Sequence, residues 1–151
     1  MNDLLGVVVA ALAAVAVAAV VRSRRREDAP TQGGWQAPTQ LDRRDFARPD
    51  APWIVVAFTS ATCSTCADVA SKAEVLASRD VAVESVDYTE RPDLHSRYRI
   101  EAVPCLVIAD SAGSVHASFV GPVKAQDLWA AVANCREPGS APPGCTSHGT
   151  P

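Results

Sequence analysis

The chain has 151 residues, enough for one folded domain with short additional segments. Its net charge of −3 argues against a nucleic-acid-binding surface, and much of its 48% hydrophobic content is Ala and Val. Five cysteines are too few and too irregularly spaced for a disulfide-stabilised scaffold, and the odd number leaves at least one thiol unpaired within the chain.

An uncharged apolar segment covers residues 4–21. A helix of this length spans about 27 Å, close to the ~30 Å hydrocarbon core of a bilayer. The N-terminal flank contains Asp3 and no basic residue, the reverse of a secretory signal peptide. Four arginines follow the segment directly, at Arg22, Arg24, Arg25 and Arg26. The positive-inside rule predicts a single-pass helix in the cell membrane with the rest of the chain in the cytoplasm. Because Ala is only weakly apolar, a cleaved leader or a mis-assigned start is the alternative.

Composition divides the remaining chain into three parts. Residues 22–38 combine the basic flank with a polar stretch rich in Pro and Gly, which predicts a flexible linker. Residues 39–135 contain the periodic apolar patterns of a folded domain. Residues 136–151 are mostly Pro, Gly and small polar residues, which predicts a disordered tail.

The first half of the domain begins with a short helical turn, which Asp42 is expected to cap and which runs through Phe46. The continuous apolar run at 53–59 predicts a strand buried on both faces of a sheet. Helical spacing over 67–78 predicts a helix, and apolar–polar alternation over 81–86 predicts a second strand. The core face of that helix is expected to hold Val69, Ala73, Leu76 and Ala77.

The second half contains a helix, two strands joined by a turn, and a closing helix, predicted at residues 93–98, 105–109, 115–120 and 124–133. Pro92 suits the first turn of the helix, and Gly113 suits the turn position that requires positive φ. The closing helix is expected to pack Leu128, Trp129 and Val132 into the core. This order predicts a small α/β domain with a central mixed sheet flanked by helices, in which helices join the parallel strands and the last pair is a hairpin.

The motif Cys63-Ser64-Thr65-Cys66 lies between the first strand and the first helix. Two thiols at this spacing in the first turn of a helix can form a disulfide with little backbone movement. The first thiol would lie at the positive end of the helix dipole, which lowers its pKa and favours the thiolate that attacks disulfides. A C-x-x-C beside a strand–helix pattern is typical of a redox motif. Half of a zinc site and an inactive pair are the alternatives, although no second ligand pair of the usual kind accompanies it.

The region from about Trp53 to Cys135 resembles the thioredoxin superfamily. Four anchors carry the resemblance, in this order: Cys63-x-x-Cys66 after an apolar strand, Val103-Pro104 before the next core strand, the turn at Ala112-Gly113, and Val120-Gly121 before the last helix. The resemblance implies a thioredoxin-like fold in which the peptide bond before Pro104 is cis and the proline packs against the redox pair. It also implies that Val103 offers its backbone to an extended substrate. An ordinary proline at the start of a strand is the alternative for Pro104.

The resemblance further implies thiol–disulfide exchange. Cys63 would attack a substrate disulfide, and Cys66 would resolve the mixed disulfide and leave an intramolecular bond. No metal or organic cofactor is needed for this reaction. The enzyme is expected to be a monomer. Its expected partners are protein disulfides and an electron donor that the sequence does not identify.

Three departures from the reductase members of the thioredoxin family are visible. Their Trp-Cys-Gly-Pro-Cys is replaced by Thr62-Cys63-Ser64-Thr65-Cys66. The substrate-facing Trp is therefore absent, and substrate specificity should differ. The two hydroxyls between the cysteines could stabilise a thiolate and make the pair more oxidising. Their buried Asp six positions before the first cysteine is replaced by Ala57, which predicts slow resolution. Thr59 and Thr62 are near enough in sequence to supply a polar group instead.

The other thiols and the histidines are less informative. Cys105, directly after Pro104, is interpreted either as a small buried core residue or as a third thiol that modulates the pair. Cys135 and Cys145 could bridge each other, but unpaired thiols are expected in a reducing cytoplasm. The three histidines are expected to be solvated, at His95, His116 and His148.

The sequence therefore favours a membrane-anchored thioredoxin-like oxidoreductase that faces the cytoplasm. A second hypothesis places the same domain outside the membrane, acting on secreted proteins or in cytochrome maturation. A third makes the domain a non-catalytic adaptor that holds a partner near the membrane.

Overall fold

The computed structural model describes residues 35–140. The predicted transmembrane helix at 4–21, the linker up to residue 34 and the tail from residue 141 lie outside the described residues. Within 35–140, no helix has both the length and the apolar character that crossing a membrane requires.

The order of elements agrees with the sequence prediction. It consists of a 3₁₀ helix (Arg43–Asp45), β1 (Trp53–Thr59), α1 (Cys66–Glu74), β2 (Val81–Asp87), α2 (Pro92–Arg97), β3 (Cys105–Asp110), β4 (Val115–Val120) and α3 (Ala125–Arg136). The Asp42 side chain accepts a hydrogen bond from the Arg44 N–H and so caps the 3₁₀ helix as predicted. α1 ends earlier than predicted, because the N–H groups of Leu76 and Ala77 bond to carbonyls three residues back, which tightens and closes the last turn.

The four strands form one mixed sheet in the order β2-β1-β3-β4. β1 and β2 are parallel, whereas β3 is antiparallel to β1 although a helix, α2, precedes it. The expectation that helices join parallel strands therefore holds only for the first connection. α2 is only about 9 Å long, and the chain enters β3 at the end of the sheet where it left β2.

The two faces of the sheet are covered by different elements. One face of β1 carries Val55 and Ala57, and it packs against α1 and α3 through Val69, Ala73, Leu128 and Val132. The opposite face packs against the N-terminal segment and α2, and contains Ile54, Val56, Phe58, Leu41, Phe46 and Leu94. The side chains of β1 from Ile54 to Phe58 are at most 1% exposed, as predicted for a strand buried on both faces.

The β3–β4 turn depends on Gly113, which has a φ of +83°. The N–H of Leu41 donates to the carbonyl of Gly113, and a Cβ at position 113 would lie 2.0 Å from the carbonyl oxygen of Leu41. Positive φ and this close approach of two backbones both require glycine. The turn thereby fixes the N-terminal segment against the sheet.

Two expectations about side chains were wrong. Trp129 is 44% exposed because its indole N–H donates to the carbonyl of Lys72, so the ring lies over α1 rather than in the core. His95 is only 3% exposed: its Nε2 is 3.0 Å from the carbonyl oxygen of Val86, and its ring contacts Phe58 and Tyr88 edge to face. His116 is half exposed at the surface, where it pairs with a carboxylate.

Candidate redox site

The candidate site is the loop that leaves β1 and enters α1. Cys63 and Cys66 in this loop are joined by a disulfide, and their Cα atoms are 5.4 Å apart. The N–H of Cys66 donates to the carbonyl of Cys63 at 3.4 Å, which closes the loop into a tight turn. The expectation that both thiols lie in the first helical turn was wrong, since α1 begins at Cys66 and Thr65 is its N-cap. Cys63 therefore lies just before the helix N-terminus.

The two sulfurs differ in their access to solvent. Cys66 is 3% exposed because it begins the buried stripe of α1, whereas Cys63 is only half-buried. A substrate sulfur can therefore approach Cys63 more readily than Cys66. This asymmetry suits a pair in which one thiol attacks and the other resolves.

A hydroxyl accompanies Cys63. The Thr65 Oγ1 lies 3.7 Å from the Cys63 Sγ, and the Thr65 side chain makes no capping bond to α1. Ser64, the other hydroxyl of the motif, is exposed. Thr65 is thus the hydroxyl placed to stabilise a thiolate at Cys63.

Val103 and Pro104 lie at the same end of the sheet as this loop. The peptide bond between them is cis, in agreement with the resemblance. Pro104 is buried, its carbonyl accepts a hydrogen bond from the N–H of Gly121 at 2.8 Å, and it directly precedes Cys105, which pairs with Phe58 near the end of β1. The topology therefore brings the Cys63–Cys66 loop, the cis-proline and Gly121 to one edge of the domain.

Cys105 faces away from the redox helix. It is 2% exposed and packs in the cluster on the α2 side of the sheet, whereas α1 covers the other side. Burial raises the pKa of the Cys105 thiol to about 12, so it is protonated at neutral pH. The placement favours the interpretation of Cys105 as a small core residue.

We expect Cys105→Val, which keeps an apolar side chain of similar size, to leave the redox equilibrium of the Cys63–Cys66 pair unchanged. Cys105→Ser should destabilise the domain by about 1–3 kcal/mol, because it buries a hydroxyl among apolar groups. Urea unfolding and equilibration with glutathione on the same two variants test both statements. A tenfold change in the redox equilibrium constant with Cys105→Val would instead identify a modulating thiol.

Of the remaining thiols, the described residues include only Cys135. Cys135 is half-buried on the last turn of α3, and burial raises its pKa. Cys145 and His148 lie outside the described residues. Within residues 35–140, no group of three or more His, Cys, Asp or Glu side chains could hold a metal ion.

The structure separates the two threonines that sequence reasoning named near Cys66. Thr62 is exposed and its hydroxyl lies 3.1 Å from the Ser60 Oγ. Thr59 is 6% exposed, and its hydroxyl lies 3.5 Å from the Ser85 Oγ on β2. Sequence reasoning missed Ser85, although its position in an alternating strand places it on the same face of the sheet as Ala57.

Comparisons with known proteins agree with this geometry. The sequence model of the thioredoxin family matches residues 44–134, more than half of the chain. Among solved structures, a thioredoxin mutant from Halobacterium salinarum NRC-1 is 26% identical with a TM-score of 0.50, over 63% of this chain and 89% of that one. A structure described as that of a malarial protein shares the fold, with 16% identity and a TM-score of 0.50 over 55% of this chain and 96% of that one. No curated protein matches the chain. The family match, the mixed sheet and the Cys63–Cys66 pair beside a cis-proline together show that the chain belongs to the thioredoxin superfamily.

Proposed function

We propose that this chain is a thiol–disulfide oxidoreductase in which Cys63 attacks and Cys66 resolves. A thioredoxin domain with a Cys-x-x-Cys pair is consistent with such a redox enzyme. The observation that carries the proposal is the disulfide between a half-buried Cys63 and a buried Cys66 at the start of α1. The expected substrates are protein disulfides, and the chain is expected to act on them as a monomer.

The reaction moves two electrons from the reduced pair to the substrate. The Cys63 thiolate forms a bond to one substrate sulfur, and the other substrate sulfur leaves as a thiolate. The Cys66 thiolate then attacks the Cys63 Sγ, which breaks the mixed disulfide and releases the second substrate thiolate. The Cys63–Cys66 bond remains, and an external electron donor must reduce it before the next cycle.

The substrate would lie across the edge that carries Val103 and Pro104. We assign to Val103 the backbone contact with an extended substrate, and to Pro104 the packing against the redox pair. Val120, which pairs with Cys105 at this edge, is 40% exposed and offers an apolar contact. A substrate segment with an apolar residue beside its cysteine suits this surface.

Equilibration of the full-length chain with glutathione tests the proposal and gives its direction. We expect a redox potential above the ~−270 mV of thioredoxin, toward the ~−120 mV of strong oxidants, because Thr65 stabilises the thiolate of the reduced form. Thr65→Val should lower the potential by about 20 mV, the equivalent of one modest hydrogen bond. Ser64→Ala is the matched control and should leave it unchanged. A Cys63–Cys66 pair that does not exchange with glutathione would contradict the proposed function.

We also propose that residues 4–21 anchor the domain on the cytoplasmic side of the cell membrane. The support is the length of the apolar segment and the four arginines that follow it. A C-terminal phosphatase fusion, active only outside the cytoplasm, should be silent, and replacing the four arginines with Asn while adding Lys beside Asp3 should activate it. An active fusion on the unaltered chain would favour the extracytoplasmic hypothesis instead.

A further inference from the structure

The resolving step requires a proton acceptor that position 57 does not supply. Cys66 must lose its proton before it can attack the mixed disulfide. Ala57 is 1% exposed on the face of β1 that α1 covers, between Ser85 of β2 and Leu106 of β3. Within residues 35–140, no buried carboxylate lies in this part of the core.

β1 ends at Thr59 and α1 begins at Cys66, one on each side of the redox loop. The chain runs along β1 into the redox loop and returns along α1, so the strand and the helix are antiparallel. Val55 and Ala57 pack in one cluster with Ala73 and Val69. Two strand residues advance about 6.6 Å and one helical turn about 5.4 Å, so continuing both elements toward the loop brings Thr59 and Cys66 to the same level.

The buried Thr59 hydroxyl is connected to the protein surface through a second hydroxyl. Its Oγ1 lies 3.5 Å from the Oγ of Ser85, and Ser85 is exposed on the edge strand β2. Thr59 is thus a buried hydroxyl whose partner reaches water. Such a pair can accept a proton at one end and release one at the other.

We propose that Thr59 and Ser85 form a hydroxyl relay that carries the Cys66 proton to water during resolution. The inference rests on the proposed function and names how this chain performs its second step without a carboxylate at position 57. The S–H bond of Cys66 breaks and its proton passes to the Thr59 Oγ1, while Thr59 gives its own proton to Ser85 and Ser85 gives one to water. The electron pair left on Cys66 forms the bond to Cys63, and the substrate sulfur leaves as a thiolate and takes up a proton from water.

The two-step reaction of the reduced full-length chain with Ellman's disulfide tests the relay. Release of the first aromatic thiol reports attack by Cys63, and release of the second reports resolution by Cys66. Thr59→Val should slow the second release about tenfold at neutral pH and leave the first unchanged, because the two side chains have similar size but only Thr has a hydroxyl. Thr59→Ser should retain the wild-type rate. Cys135→Ser and Cys145→Ser in the background remove other reactive thiols.

The pH profile separates a relay from a structural hydrogen bond. With Thr59→Val, the second rate should rise steeply with pH, because hydroxide then has to remove the proton. The charged groups on the elements around Thr59 are Glu84 and Asp87 on β2, Asp68, Lys72 and Glu74 on α1, and Asp110 on β3, and the variants leave them unchanged. Thr62→Val, which removes an exposed hydroxyl, is the matched control and should match the wild type.

Two outcomes would overturn the relay. An unchanged second release with Thr59→Val is one, and equal slowing of both releases is the other. If Thr59→Val does not fold by urea unfolding, Ser85→Ala at the exposed end should slow the second release about threefold, and an unchanged rate there refutes the relay.

A second measurement does not depend on turnover. In Cys63→Ser, the pH at which alkylation of Cys66 is half-maximal should rise when Thr59→Val is added, because the relay requires the Thr59 hydroxyl to donate a hydrogen bond to the Cys66 thiolate once the proton has moved. It should stay constant when Thr62→Val is added. Mass spectrometry of the modified peptide assigns the reaction to Cys66. A wild type that never releases the second thiol would contradict the proposed function, whereas unchanged Cys66 alkylation contradicts the relay alone.

Discussion

Cys63→Ser should reduce insulin-type disulfide turnover by at least about 10³-fold, because it removes the proposed nucleophile. Cys66→Ser should behave differently: the chain should complete the first attack and then remain joined to its substrate. The expectation follows from access to the sulfurs, since Cys63 is half-buried and Cys66 is 3% exposed. It also follows from the position of Cys63 just before the N-terminus of α1, where the helix dipole favours a thiolate.

Turnover assays and non-reducing mass spectrometry of the full-length variants test this assignment. The trapped complex should appear only with Cys66→Ser and should disappear on addition of dithiothreitol. Cys135→Ser, on the far turn of α3, is the matched control and should retain wild-type turnover. Equal loss of activity in both redox-site variants without a trapped complex would contradict the assignment, as would faster alkylation at Cys66 than at Cys63.

The strands of this fold are predictable from sequence because each has one dominant local cause. β1 is a continuous apolar run buried on both faces, and its observed bounds, Trp53–Thr59, are those predicted. The bounds of β4, Val115–Val120, also agree, because the turn at Gly113 fixes where the returning strand begins. The direction of β3 is not encoded in such a local pattern. It depends on the end of the sheet at which the β2–β3 connection rejoins it, a relation between distant elements.

Side chains with both apolar and polar parts were the least predictable. The pattern around His95 suggests a solvated helix, yet its ring fills the space between Phe58 and Tyr88 and a backbone carbonyl satisfies its nitrogen. Trp129 has the spacing of a core residue, yet the indole N–H finds a carbonyl on α1 and leaves the ring half exposed. In both residues a single hydrogen bond across elements decides the position.

The candidate site was partly predictable for the same reason. The cysteines and the cis-proline lie in local motifs, and the structure brings them together at one end of the central strands β1 and β3. The pairing of Thr59 with Ser85 joins residues on two strands, and only the strand register reveals it. The consequences of Ala57 depend on this pairing, because the two hydroxyls are the polar groups nearest to position 57 across and along the sheet.

Ala57→Asp should destabilise the full-length chain by about 3 kcal/mol at neutral pH, because it places a carboxyl group in a core position that is 1% exposed. Burial favours the protonated form, so the pKa of the new carboxyl group should rise in the folded state above its unfolded value of about 3.9. Below pH ~3.9 the carboxyl group is protonated in both states, so its ionisation does not change the free energy of unfolding. As the pH rises from there toward the folded pKa, only the unfolded state ionises, and the free energy of unfolding falls. Ala57→Asn has similar size and no titration, so it is the matched control. The difference between the urea midpoints of the two variants should be smallest near pH 4 and widen above it.

The same substitution should accelerate resolution while it destabilises the fold. A carboxyl group at position 57 would lie directly opposite Ser85 on the face of β1 that α1 covers, where we expect it to accept the proton that Cys66 loses. We therefore expect the second thiol release from Ellman's disulfide to rise severalfold near neutral pH with Ala57→Asp, and to stay at the wild-type rate with Ala57→Asn. In combination with Thr59→Val, Ala57→Asp should restore most of the lost rate, because it replaces the relay with a direct acceptor. A folded Ala57→Asp variant that leaves resolution unchanged in both backgrounds would show that proton loss from Cys66 does not limit this enzyme.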